Sequence, residues 1–163
     1  MSESVHALAV IASNVYYVQD GVNINKLNEG LSNYGYHVIP ESIERSGNCV
    51  CYMAVWRNSR NTVLAIKGTS TSNMGDLEND LKMVLGGAQS SAIVQGTLKK
   101  ARELIVKYGV NLITGHSLGG YMTEIIATNG GLPGIAFCAP GTNGPKIRLG
   151  GSVVRGFHNV NFE

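Results

Sequence analysis

One serine sits between two glycines at a spacing that can do chemistry. Gly115-His116-Ser117-Leu118-Gly119 fits the pattern G-x-S-x-G. Small residues there let the backbone turn sharply and lift a serine hydroxyl above a sheet edge, placed to attack a carbonyl carbon. Five residues alone are a weak signal, so the context has to carry the weight. Before the motif LIT reads as a buried strand, and after it SLGGYMTEIIA reads as a helix. That setting aims a helix N-terminus at the serine. The plain alternative is a glycine-rich turn in which Ser117 only caps the helix.

A serine nucleophile needs donors for the oxyanion that develops on the carbonyl oxygen. The residue after the nucleophile supplies one, here the N–H of Leu118. A second candidate lies upstream, where the run TVLAIKG ends at Gly68-Thr69. A strand end with a glycine and a hydroxyl residue offers both a backbone N–H and an Oγ–H. Asp80 is placed to accept from Thr69 and hold its rotamer. The bland readings are a loop threonine at 69 and a solvated carboxylate at 80.

These residues need elements to hold them. Val5, Leu8, Ala9, Ala12, Val15 and Tyr16 fall on one helical stripe that Gly21 stops, and a shorter helix is expected around Ile24 to Leu31. YHVI, CVCYMAVW and TVLAIKG are β-rich, the last two split by a polar hairpin connection at 57–61. Gln89 to Tyr108 reads as an amphipathic helix with Val94, Leu98, Ala101, Ile105 and Tyr108 on one face and Gly109 at its C′ position. VNLIT, the helix Leu118 to Thr128, GIAFCA and finally SVVRGFHNV then alternate strand and helix. Continuous apolar strands joined through helices mean parallel pairing with helices on both sheet faces, so the expected class is α/β with a mostly parallel sheet.

Composition narrows the function classes. The chain has 163 residues, 44% apolar and 15% charged, enough for a core and one domain spanning 1–163. Thirteen basic against 11 acidic residues, with no basic run, gives no electrostatic case for nucleic acid as a partner. Cys49, Cys51 and Cys138 form no zinc-type or disulfide pattern, and Cys49 and Cys51 read as two small apolar side chains in or beside a core. No apolar run approaches the roughly 20 residues of a membrane helix. Glu3 stands where a signal peptide would carry a cation, so a cytoplasmic protein, or one exported without a cleaved signal, is expected.

IKGTSTSNMGDLENDL, LITGHSLGGYMTEIIA and GIAFCAPG together resemble the class 3 (fungal triacylglycerol type) lipases and their bacterial relatives, over about residues 35–160. Gly115 to Gly120 matches the family's Gly-His-Ser-Leu-Gly-Gly block residue for residue. Lys67-Gly68-Thr69 matches its Arg-Gly-Ser/Thr block with Lys for Arg. Asp80-Leu81 matches the end of its Trp-x-x-Asp-Leu block without the Trp. The resemblance implies an α/β-hydrolase fold and a carboxylic ester hydrolase of lipase, phospholipase or esterase type. Its substrate would be a lipid or small acyl ester, met at a lipid surface. Ser117 would be the nucleophile and Thr69 and Leu118 the oxyanion hole, with Asp80 behind Thr69 and no metal or organic cofactor. Segment 70–84, with Met74, Leu77, Leu81 and Met83, falls where the family carries a lid.

The rest of the triad does not follow from the residues. The hydrolase order is Ser, Asp/Glu, then His, yet beyond Ser117 there is no Asp, only Glu124 and Glu163, and one histidine, His158. Glu124 lies seven residues along the same helix, about 10 Å up its axis. His158 precedes Glu163, the wrong order, and His116 should point away from the serine. The expectation is a hydrolase whose acid and base lie beyond residue 163. The alternative is a non-catalytic binding or scaffold protein on a degenerate lipase fold; a peptidase or thioesterase on the same fold is a weaker third reading.

Overall fold

A computed structural model describes residues 5–20, 23–45, 52–68, 90–137 and 157–160, the side chains of 19–20, 90–94 and 157–160 excepted. Helix α1 (Val5–Asn14) runs into a 3-10 turn (Val15–Asp20), and α2 (Ile24–Leu27) follows. Strands β1 (His37–Val38), β2 (Met53–Arg57) and β3 (Thr62–Ile66) come next, then α3 (Ser90–Tyr108), β4 (Leu112–His116), α4 (Leu118–Gly130), β5 (Gly134–Phe137) and β6 (Phe157–Val160).

The six strands lie side by side in chain order. β1, β2 and β3 pair antiparallel, and β3 through β6 pair parallel. The molecule is therefore mixed α/β, with a sheet whose parallel half carries the serine motif. The hairpin between β2 and β3 closes on Asn58, whose side-chain oxygen accepts from the N–H groups of Arg60 (2.9 Å) and Asn61 (2.7 Å), a local turn that asparagine favours.

The central strands are apolar on both sides because both faces are covered. Ala54, Trp56, Val63, Ala65 and Leu112 point to the α1 face, where Leu8, Ile11, Ala12 and Val15 pack on them. Met53, Val55, Leu64, Ile66 and Ile113 point the other way, to Leu98, Ala101 and Leu104 of α3 and Leu118, Met122 and Ile125 of α4. Thr114 is a buried polar residue on the α1 side, and its hydroxyl donates to Ile135 O at 2.8 Å.

Several details differ from the sequence expectation. The buried stripe of α1 is Ala7, Leu8, Ile11 and Ala12, with Val5 48% exposed. The α-helix also stops at Asn14, whose buried amide donates to Leu27 O (3.1 Å) and Glu29 O (2.8 Å). Val15 and Tyr16 thus lie in the tighter 3-10 turn that follows. The short helix ends at Leu27 rather than Leu31. On α3 the core residues are Thr97, Leu98, Ala101 and Leu104, while Ile105 and Tyr108 are only partly buried. Gly109 takes φ +67° directly after the helix, the left-handed conformation its place at C′ requires. Among the described residues no helix is long and apolar enough to cross a membrane. Cys49, Cys51 and Cys138 lie outside the described residues.

Candidate active site

Strand β4 continues through Gly115 and His116, so the sheet delivers the chain straight to Ser117, and α4 begins at the next residue. Ser117 has φ +59° and ψ −122° and is the only non-glycine residue with positive φ among the described residues. An L-residue is held there at a cost of about 1–3 kcal/mol, which persists only where the surroundings over-determine the backbone. Two bonds do so: Ser117 N–H donates to Phe137 O of β5, and Tyr121 N–H donates to Ser117 O, both at 3.0 Å.

The turn also depends on the absence of side chains. A Cβ on Gly119 would lie inside contact distance of Ile66 O, 2.8 Å from Ile66 C and 3.1 Å from Gly68 N. One on Gly115 would lie 2.5 Å from Gly119 C and 2.7 Å from Thr123 Oγ1. The two glycines of the motif thus let the first turn of α4 press onto the ends of β3 and β4 at backbone distance.

Ser117 occupies the N-cap position of α4, but its hydroxyl caps nothing. The residue is fully buried, and its Oγ is the only buried side-chain nitrogen or oxygen among the described residues without a hydrogen-bond partner. A capping serine would satisfy its oxygen on the helix N–H groups; the Ser117 hydroxyl makes no such bond. A buried polar atom left unpaired beside a strained backbone calls for a reason.

Leu118 is the first residue of α4, where backbone N–H groups have no partner within the helix. The end of β3 reaches the same point, since a Cβ on Gly68 would sit 3.2 Å from Leu118 N and 2.6 Å from His116 O. The strand end preceding Thr69 therefore abuts the serine turn. Thr69, Asp80, segment 70–84 and Glu163 lie outside the described residues.

The histidines separate clearly. His6 Nδ1 meets Tyr34 Oη at 2.6 Å on the surface, and His37 is exposed on the edge strand β1. His116 points to the α1 side, where its Nδ1 meets Tyr16 Oη at 3.0 Å, and burial pushes its pKa down from 6.5. His158 lies opposite Ile135 on β6, two strands over and three residues back from Ser117. At the usual strand spacing and rise its backbone is roughly 14 Å from the serine.

Sequence reasoning missed the company of His116. Lys67, only 6% exposed, donates from Nζ to Gly68 O at 3.1 Å and lies over the rings of Tyr16 (5.3 Å) and Tyr52 (5.5 Å). The contact between Tyr16 and His116 spans 100 residues, and no local pattern announces it. Compared with known protein families and with curated proteins, the chain matches none.

Proposed function

We propose that the protein is a serine acyl-ester hydrolase of the class 3 lipase type, with Ser117 as its nucleophile. The observation that carries this reading is the unpaired, buried Ser117 hydroxyl on a positive-φ turn between β4 and α4. The Ser117 oxygen would attack the acyl carbon while its proton passes to a base. The tetrahedral oxyanion would collapse as the alcohol leaves with that proton, and water would then release the acid by the same route. Leu118 N–H, at the positive end of α4, supports the oxyanion, and Thr69 is its proposed partner, held by Asp80. His6 and His37 lie away from Ser117, His116 faces the other side of the sheet, and the backbone of His158 is roughly 14 Å from the serine. The substrate is a lipid or small acyl ester, and lipid-surface contact belongs to the same proposal.

The test uses the protein in its full natural reading frame. A fluorophosphonate should label one site, which peptide mass mapping assigns to Ser117, and p-nitrophenyl ester turnover should vanish in Ser117→Ala. A full-length protein that neither labels nor turns over ester would instead be a binding or scaffold protein on this fold.

A further inference from the structure

The nucleophile turn and the end of β3 must keep a fixed separation if the serine and its oxyanion donors are to act on one carbonyl. The β3–β4 ladder fastens them as far as its last pair, Ile66 with Gly115, two residues short of both Gly68 and Ser117. One side chain stands where they meet. Tyr16 Oη lies 3.0 Å from His116 Nδ1 and 3.4 Å from His116 O, the carbonyl directly before Ser117. The same oxygen would be 2.7 Å from a Cβ on Gly68, so it also rests against the strand end that leads to Thr69. Both His116 contacts are satisfied at once if Nδ1–H donates to the phenol oxygen and the phenol O–H donates to the carbonyl.

Resting on the hydrolase reading above, we propose that Tyr16 is a positioning residue for acyl transfer. Its hydroxyl fastens the His116–Ser117 turn against Gly68 and so sets the distance from the Ser117 oxygen to its oxyanion donors. Three features around it suit that task. The ring is held edge-on to His116 at 5.9 Å between centroids. The Lys67 ammonium lies over its face, an attraction worth about 0.5–2 kcal/mol. Its own backbone is anchored by Val15 and Val18, both fully buried.

The experiment compares Tyr16→Phe with the full-length parent. Phenylalanine keeps the ring, its packing and the cation contact, and removes one oxygen. Tyr34→Phe is the control, because it breaks another tyrosine–histidine hydrogen bond, to His6, far from the serine. A misplacement of the reacting groups approaching 1 Å costs about a hundredfold in rate, so a partial loosening should cost about tenfold. The expected result is a kcat and a fluorophosphonate labelling rate about tenfold lower in Tyr16→Phe. KM should stay within about twofold, Tm within a few degrees, and Tyr34→Phe should behave as the parent. The His116 nitrogen resonances in a 15N spectrum should shift in Tyr16→Phe alone. Parental kcat in Tyr16→Phe, with the His116 resonances shifted, would overturn the positioning role and leave the hydrolase reading standing. A joint loss of kcat, KM and Tm would reduce Tyr16 to a structural prop and overturn it too. A parent that neither labels nor turns over ester would remove both proposals together.

Discussion

Removing the oxygen of Ser117 should make the protein more stable. Most substitutions at a fully buried position destabilise, so the sign of this one is diagnostic. The Ser117 hydroxyl is desolvated and unpaired, and a buried polar group in that condition costs about 1–3 kcal/mol. Ser117→Ala deletes that group, keeps the Cβ and leaves φ +59° in place, so the gain should be about 2 kcal/mol. For a chain of this length each kcal/mol moves Tm by about 2–4 °C, which gives a rise of about 4–8 °C. Ser117→Gly should do more, because it also releases about 1–3 kcal/mol of backbone strain. Against that stands about 0.5–1 kcal/mol for the greater freedom of an unfolded glycine. The expected ranking is Gly above Ala above parent, read from urea unfolding midpoints and calorimetric Tm. A Ser117→Ala protein less stable than the parent would mean that the hydroxyl has a partner, and the case for a poised nucleophile would fall. A gain in Ala followed by a loss in Gly would remove the strain while keeping the unpaired oxygen.

Gly119→Ala should destabilise by about 1–3 kcal/mol, since its Cβ would press on Ile66 backbone atoms that cannot move aside. Gly130→Ala, at the exposed end of the same helix with open space around it, should instead gain about 0.4–1 kcal/mol; equal effects in urea unfolding would refute the close approach of α4 to β3. His116 should make stability fall in mild acid. Its folded pKa lies below 6.5 because of burial, so the unfolded chain takes up the proton first. The stability is full above that value and is lost as pH falls through the folded pKa. Tm measured from pH 7 to 5 should drop more steeply for the parent than for His116→Asn, and parallel curves would refute it.

The parallel half of the sheet was legible because β3, β4 and β5 lie in short, mostly apolar runs and α4 follows β4 without a linker. The serine turn was legible because its glycines and serine are contiguous, so a local pattern encodes a local geometry. The 3-10 turn at Val15 was not, because it follows an Asn14 side chain that reaches carbonyls 13 and 15 residues away. Lys67 entered the reading only as a lysine in place of the family's arginine, and no local pattern announced that it is buried between two aromatic rings. Its neighbour Tyr16 comes from an element 51 residues earlier, a proximity that only the folded sheet creates.

Trp56, the single tryptophan of the chain, is fully buried on the α1 side of the sheet, with its indole N–H on Leu27 O at 3.0 Å. Its emission therefore reports on one face of the molecule and is blind to the other, where α3 and α4 hold tyrosines alone as chromophores. Excited at 295 nm during denaturation, the protein reveals when α1 and α2 leave the sheet, while far-ultraviolet dichroism sums all the helices and is weighted to α3 and α4, the two longest. Coincident transitions would show that the sheet binds its two layers into one cooperative unit. An earlier loss of indole emission would mark the α1 layer, which carries Tyr16, as a separately opening part of the fold.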